Sequence, residues 1–72
     1  MAYITNQGDN TVSVVDTKQL KVIHTIQVGK APVGVAVSKQ LQRAYITNVE
    51  DGTISVIDTK TQQVTQSIHI QG

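Results

Sequence analysis

Two histidines, five carboxylates and four serines are the side chains of this 72-residue sequence best suited to chemistry. A metal centre needs three or four suitable ligands, and neither His24 nor His69 has Asp or Glu neighbours at ligand spacing. Ser13, Ser38 and Ser55 lack the strained elbow and the His-Asp partners of a hydrolytic triad. Gly8, Gly29 and Gly34 do not open a helix, so they form no phosphate cradle. Asp16 and Asp58 each precede Thr, a pattern in which the carboxylate caps backbone N–H groups in a turn. Asp9-Asn10 and Asp51-Gly52 read as hairpin corners, with Asn10 and Gly52 supplying positive φ. The expectation is a chain with no catalytic residue, no bound cofactor and no metal.

Charge and composition narrow the function classes further. Six Lys and Arg against five Asp and Glu leave a net charge of +1, too weak a field to gather nucleic acid. Tyr3 and Tyr45 are the only aromatics, which suits packing better than base stacking. With no cysteine there is neither a disulfide framework nor a thiolate site. Apolar runs are only a few residues long, far short of a membrane-spanning helix.

The elements that must position these residues are strands. Val, Ile and Thr total 28 residues, against only two Leu, and such β-branched side chains fit a pleated surface better than a helix. Ala2-Tyr3-Ile4-Thr5-Asn6 recurs as Ala44-Tyr45-Ile46-Thr47-Asn48, and sliding residues 2–30 onto 44–72 gives 14 identities in 29 positions. An offset of 42 residues is the length of one four-stranded propeller blade. Strands are expected at Ala2–Asn6, Thr11–Asp16, 22–28, 33–37, Arg43–Asn48, Thr53–Asp58 and 64–70. Strict alternation puts Val22, His24, Ile26 and Val28 on one face, and Val64, Gln66, Ile68 and Ile70 on the equivalent one. Gly29 to Pro32 reads as a loop in which Gly29 takes positive φ and Pro32 withholds a ladder donor.

Ala-Tyr-Ile-Thr-Asn, Thr-Val-Ser-Val-Val-Asp-Thr and Gly-Lys-Ala-Pro-Val-Gly-Val-Ala-Val-Ser together resemble the YVTN β-propeller repeat, across essentially the whole chain. The resemblance implies an all-β fold of antiparallel β-propeller blades, with residues 33–37 innermost. It implies a binding scaffold rather than chemistry, and an extracytoplasmic or cell-surface setting. One departure is the usual Pro-Asp-Gly turn, replaced here by Lys39-Gln40-Leu41-Gln42, which calls for another turn geometry.

The chain thus reads as about one and three-quarter blades: a three-stranded partial blade at 1–30 and a complete four-stranded blade at 31–72. Two blades cannot close a propeller, and their uncovered Val and Ile faces are patches that soluble monomers rarely carry. Self-association into a homo-oligomeric ring is the expectation, three chains giving about six blades and four chains about eight. The rival is a piece of a longer propeller, either a lactonase- or dehydrogenase-like enzyme or a single-stranded-DNA-binding one. Protein or surface-polymer partners fit the first reading, with no nucleic acid and no membrane span. Binding loops in repeat folds show as departures from the repeat. The clearest are Gln7 and Gly8 against Val49 and Glu50, and Gln19, Leu20 and Lys21 against residues 61–63.

Overall fold

A computed structural model describes residues 1–70; the last two residues of the expected second blade lie outside the described ones. Seven strands follow one another as β1 (Ala2–Asn6), β2 (Thr11–Asp16), β3 (Lys21–Gln27), β4 (Pro32–Ser38), β5 (Arg43–Asn48), β6 (Thr53–Asp58) and β7 (Gln63–His69). Each sheet is an antiparallel meander, β1-β2-β3 in the first and β4-β5-β6-β7 in the second. No helix occurs among the described residues. Strand positions agree with the sequence reading to within a residue. β3 and β7 start one residue earlier, and β4 takes in Pro32 as its first residue, where a missing N–H costs the ladder least.

The register of the two copies is the same. Tyr3 lies opposite Val14 as Tyr45 lies opposite Val56, and Asn6 opposite Thr11 as Asn48 opposite Thr53. Strict alternation, however, fails in both outer strands. Val14 pairs with His24 but Val15 with Val22, so Ile23 is an extra residue in the ladder. Likewise Val56 pairs with Gln66 but Ile57 with Val64, leaving Thr65 unpaired in the ladder, its hydroxyl donating to the Val56 carbonyl at 3.4 Å. One inserted residue reverses the face of everything beyond it. Val22 and Val64 therefore stand on the face opposite Ile26 and Ile68, contrary to the alternation read from sequence.

The sheets stack face to face. Tyr3, Val12, Val14 and Ile26 of the first meet Ala44, Ile46 and Ile57 of the second, and these seven form the core. Removing that apolar surface from water is the main stabilising term available to so small a chain.

Candidate interaction surfaces

The stack leaves one face of each sheet uncovered, and the two are unlike. Residues directly opposite across strands share a face, so Ile4, Ser13, Val15 and Val22 lie together on the outer side of the first sheet. Their repeat equivalents Ile46, Ser55, Ile57 and Val64 form the inner side of the second. Conversely Tyr45, Ile54, Val56 and Ile68 look outward from the second sheet, while Tyr3, Val12, Val14 and Ile26 face the core. Ile4 is 50% exposed where Ile46 is fully buried, and Ile68 is 42% exposed where Ile26 is 8% exposed. Each free face thus carries the residues that the other sheet uses at the contact between them.

The same polar device sits on this repeated face. Asn48 Nδ2 donates to Thr53 Oγ1 at 3.1 Å and to Ser55 Oγ at 2.9 Å, and Asn6 Nδ2 does the same to Thr11 Oγ1 and Ser13 Oγ at 3.1 and 2.8 Å. Asn48 is buried, with the linker residue Gly29 against its amide; Asn6 is only half-buried. Buried amides need such partners because water is excluded.

The loops singled out by the repeat comparison fall at opposite ends of the strands. Gln7 and Gly8 (β1–β2) and Val49 and Glu50 (β5–β6) share one end, while Gln19, Leu20 and Lys21 lie at the other, so they form no single surface. All seven are exposed, Leu20 at 82%. The aspartates serve turns. Asp16 Oδ1 accepts from the N–H groups of Lys18 and Gln19 at 2.8 and 3.0 Å, and Asp58 Oδ1 from those of Lys60 and Thr61 at 2.8 and 3.4 Å. The N–H of Lys60 does most to hold the Asp58 carboxyl below the usual carboxylate value; desolvation opposes it, and the Thr61 N–H and the nearby Arg43 guanidinium add smaller lowering effects. His24 and His69 are exposed, and among the described residues no three His, Cys, Asp or Glu side chains converge.

Positive φ occurs at Asn10 and Gly52, as the sequence suggests, and also at Leu20, Gln42 and Gln62, each the last residue of a four-residue connection. The Lys39-Gln42 turn therefore follows the pattern of its neighbours, with Ser38 Oγ accepting from the Leu41 N–H at 3.2 Å. Gly29 does not take positive φ; the linker residue that does is Ala31, at 57°. Ala31 is held there by its N–H bonding Asn10 Oδ1 at 3.0 Å and its carbonyl accepting from Val49 at 3.1 Å. What Gly29 supplies is space: a Cβ there would lie 2.8 Å from Asn48 Cγ and 2.8 Å from Asp51 Oδ2. Asp51 in turn accepts from the Lys30 N–H at 2.8 Å, fastening the linker between the sheets.

At the Leu20 end a cleft of about 340 Å³ opens between the sheets, lined by Met1, Tyr3, Val37, Lys39, Gln42, Thr59 and Gln62. Tyr3 Oη donates to Gln62 Oε1 at 3.1 Å, and Gln62 Nε2 to the Thr59 carbonyl at 3.0 Å. Sequence reasoning missed this cleft because its walls come from both copies. The one visible signal was the replacement of Leu20 by Gln62 at the equivalent repeat position.

Comparison with known proteins adds to this geometry. The structure superposes on Kuenenia stuttgartiensis hydrazine synthase, a β-propeller protein, with a TM-score of 0.90 at 29% identity, over 94% of this chain and 19% of that one. The two sheets are propeller blades. No family model matches the chain. Over 36 residues, 50% of this chain, it is 56% identical to the PE-PGRS family protein PE_PGRS18 of Mycobacterium tuberculosis (strain ATCC 25618 / H37Rv), of which that segment is 8%. The matched segment is thus less than a tenth of the mycobacterial relative, and the chain spans about a fifth of the hydrazine synthase chain.

Proposed function

We propose that this chain is a non-enzymatic β-propeller module of the YVTN type, an interaction scaffold that closes a ring by self-association through its two unlike outer faces. One observation carries the reading. Ile4 on the first blade's open face is 50% exposed, and its equivalent Ile46 is fully buried by a neighbouring blade. A second chain laying its Tyr45, Ile54 and Ile68 face on that surface would repeat the contact already made inside the molecule. Such a head-to-tail interface is heterologous and closes into a ring when its rotation allows. The groups best suited to chemistry are spent on structure, since Asp16, Asp51 and Asp58 accept backbone N–H groups and Ser13 and Ser55 accept from asparagine amides.

Light scattering on the purified chain tests this. A particle of about three or four chains is expected. A monomer that unfolds cooperatively with no added partner would overturn it.

The match to 19% of a hydrazine synthase chain favours a second reading, in which the two blades belong to a longer propeller. Under that reading the open faces are covered by further blades of one polypeptide. Mixing the chain with a polypeptide holding the flanking blades then yields a mixed complex in place of a homo-oligomer.

A further inference from the structure

We propose that the cleft at the Leu20 end of the strands binds one uronate unit of an acidic polysaccharide. Lys39 meets its carboxylate, and the lysines of the neighbouring turns meet the flanking units. The proposal rests on the reading of this chain as an interaction scaffold, but not on closure of a ring.

The net charge of +1 conceals a division between the two ends of the strands. Five of the six Lys and Arg residues, Lys18, Lys21, Lys39, Arg43 and Lys60, lie in or beside the β2–β3, β4–β5 and β6–β7 turns. The only Asp or Glu residues at that end are Asp16 and Asp58; the other end holds Lys30 against Asp9, Glu50 and Asp51. Both aspartates of the basic end are committed. Each accepts two turn N–H groups, and Asp58 also pairs with Arg43 at 3.8 Å. Four exposed lysines are left there without an ion pair among the described residues.

The cleft opens at this same end, and its volume of about 340 Å³ is in the range of small-ligand sites. Its lining suits a charged sugar. Lys39 answers a carboxylate, Gln42 and Thr59 answer ring hydroxyls, and Val37, 51% exposed, answers the apolar C–H face of the ring. Gln62 is fixed in the wall by the Tyr3 hydroxyl and the Thr59 carbonyl. Tyr3, the only aromatic in the lining, is buried, so no ring face is offered on which a base could stack. That favours a polysaccharide over single-stranded nucleic acid. Lys60 follows Thr59 of the cleft wall, and Lys18 holds the equivalent place in the first blade. Charges spread over three turns match a chain with a carboxylate on successive units better than a single small acid.

Calorimetric titration of the full chain with a short oligogalacturonate tests the proposal, with its methyl ester and an oligothymidylate of equal charge as comparisons. The acid should bind, more weakly as salt rises, and the uncharged ester should not. Lys39→Gln should weaken binding by about tenfold, the worth of one charged hydrogen bond. Lys30→Gln makes the same charge change at the other end and should leave affinity unaltered. No binding of the acid, equal binding of the ester, tighter binding of the oligothymidylate, or equal losses from the two lysine variants would each overturn the proposal. Light scattering on the same samples reads association separately. A ring that ignores the oligogalacturonate sinks the cleft proposal alone, and a monomer that binds it sinks ring closure alone.

Discussion

The first and second blades hold the same five residues, Ala-Tyr-Ile-Thr-Asn, in opposite surroundings. In the first, the tyrosine is buried and the isoleucine open; in the second, the isoleucine is buried and the tyrosine half-open. Identical sequence and identical register therefore produce different cores, because burial in a stacked repeat is decided by the neighbour on each side. The repeat equivalents of the exposed Ile4 and Ile68 are Ile46 and Ile26, and both of those lie in the core between the blades. A repeat protein's surface is best interpreted by asking what its equivalent residue touches one repeat along.

The largest effect that would break or sharpen this contrast comes from the isoleucine pair. Ile46→Ala removes a fully buried side chain and should cost about 2–5 kcal/mol in urea unfolding. Ile4→Ala on the dilute chain should cost less than about 1 kcal/mol, since half of that side chain already sees water. Where chains associate, the Ile4→Ala cost should rise and become concentration-dependent. Equal costs for both variants at every concentration would dissolve the distinction between the blades.

Next in size is a pair of glycines in the connections. Gly29→Ala puts a methyl against the Asn48 amide and the Asp51 carboxylate at 2.8 Å, and should destabilise by about 1–3 kcal/mol. Gly8, at the same end of the molecule, has open space where its Cβ would go. Gly8→Ala should therefore be neutral, or stabilising by about 0.4–1 kcal/mol through the unfolded chain. Thermal unfolding of the two variants side by side checks this, and a Gly29→Ala variant as stable as Gly8→Ala would remove the linker from the interface it is argued to seal.

Most of the fold is legible in the sequence because two signals coincide: β-branched composition, and a repeat whose period matches one blade. Turn chemistry is legible as well, at Asp16, Asp58, Asn10 and Gly52. What stays hidden is of two kinds. Ile23 and Thr65 are extra ladder residues with no composition of their own, so the face change at Val22 and Val64 cannot be seen in alternation alone. Gly29 looks like a turn glycine, but its role is close approach to Asn48, a residue of the other blade. The cleft bounded by Tyr3 and Gln62 is hidden for the same reason. Contacts between repeats leave no local pattern, and the loops chosen as departures from the repeat, Gln7, Gly8, Gln19, Leu20, Lys21, Val49 and Glu50, separate to two ends of the strands.

The smallest difference between the blades is electrostatic. Asp16 and Asp58 make the same turn, but Asp58 alone has a guanidinium beside it, Arg43 Nη1 lying 3.8 Å from its Oδ2, while Met1 occupies the equivalent place in the first blade. The Asp58 carboxyl is held below its ordinary value first by the Lys60 N–H and less by Arg43. A carboxyl whose folded value is depressed adds stability that is present above its unfolded value and is lost as pH falls through the folded one. Arg43→Met should therefore raise the Asp58 midpoint only part of the way back, because the turn N–H groups remain. Asp58→Asn should abolish that component of the acid dependence. Carboxyl carbon NMR titration of the wild type and Arg43→Met separates the two causes. If Arg43→Met restored the ordinary value entirely, the exposed ion pair, and not the turn, would be the dominant influence, against the ordering that solvent screening of surface pairs leads one to expect.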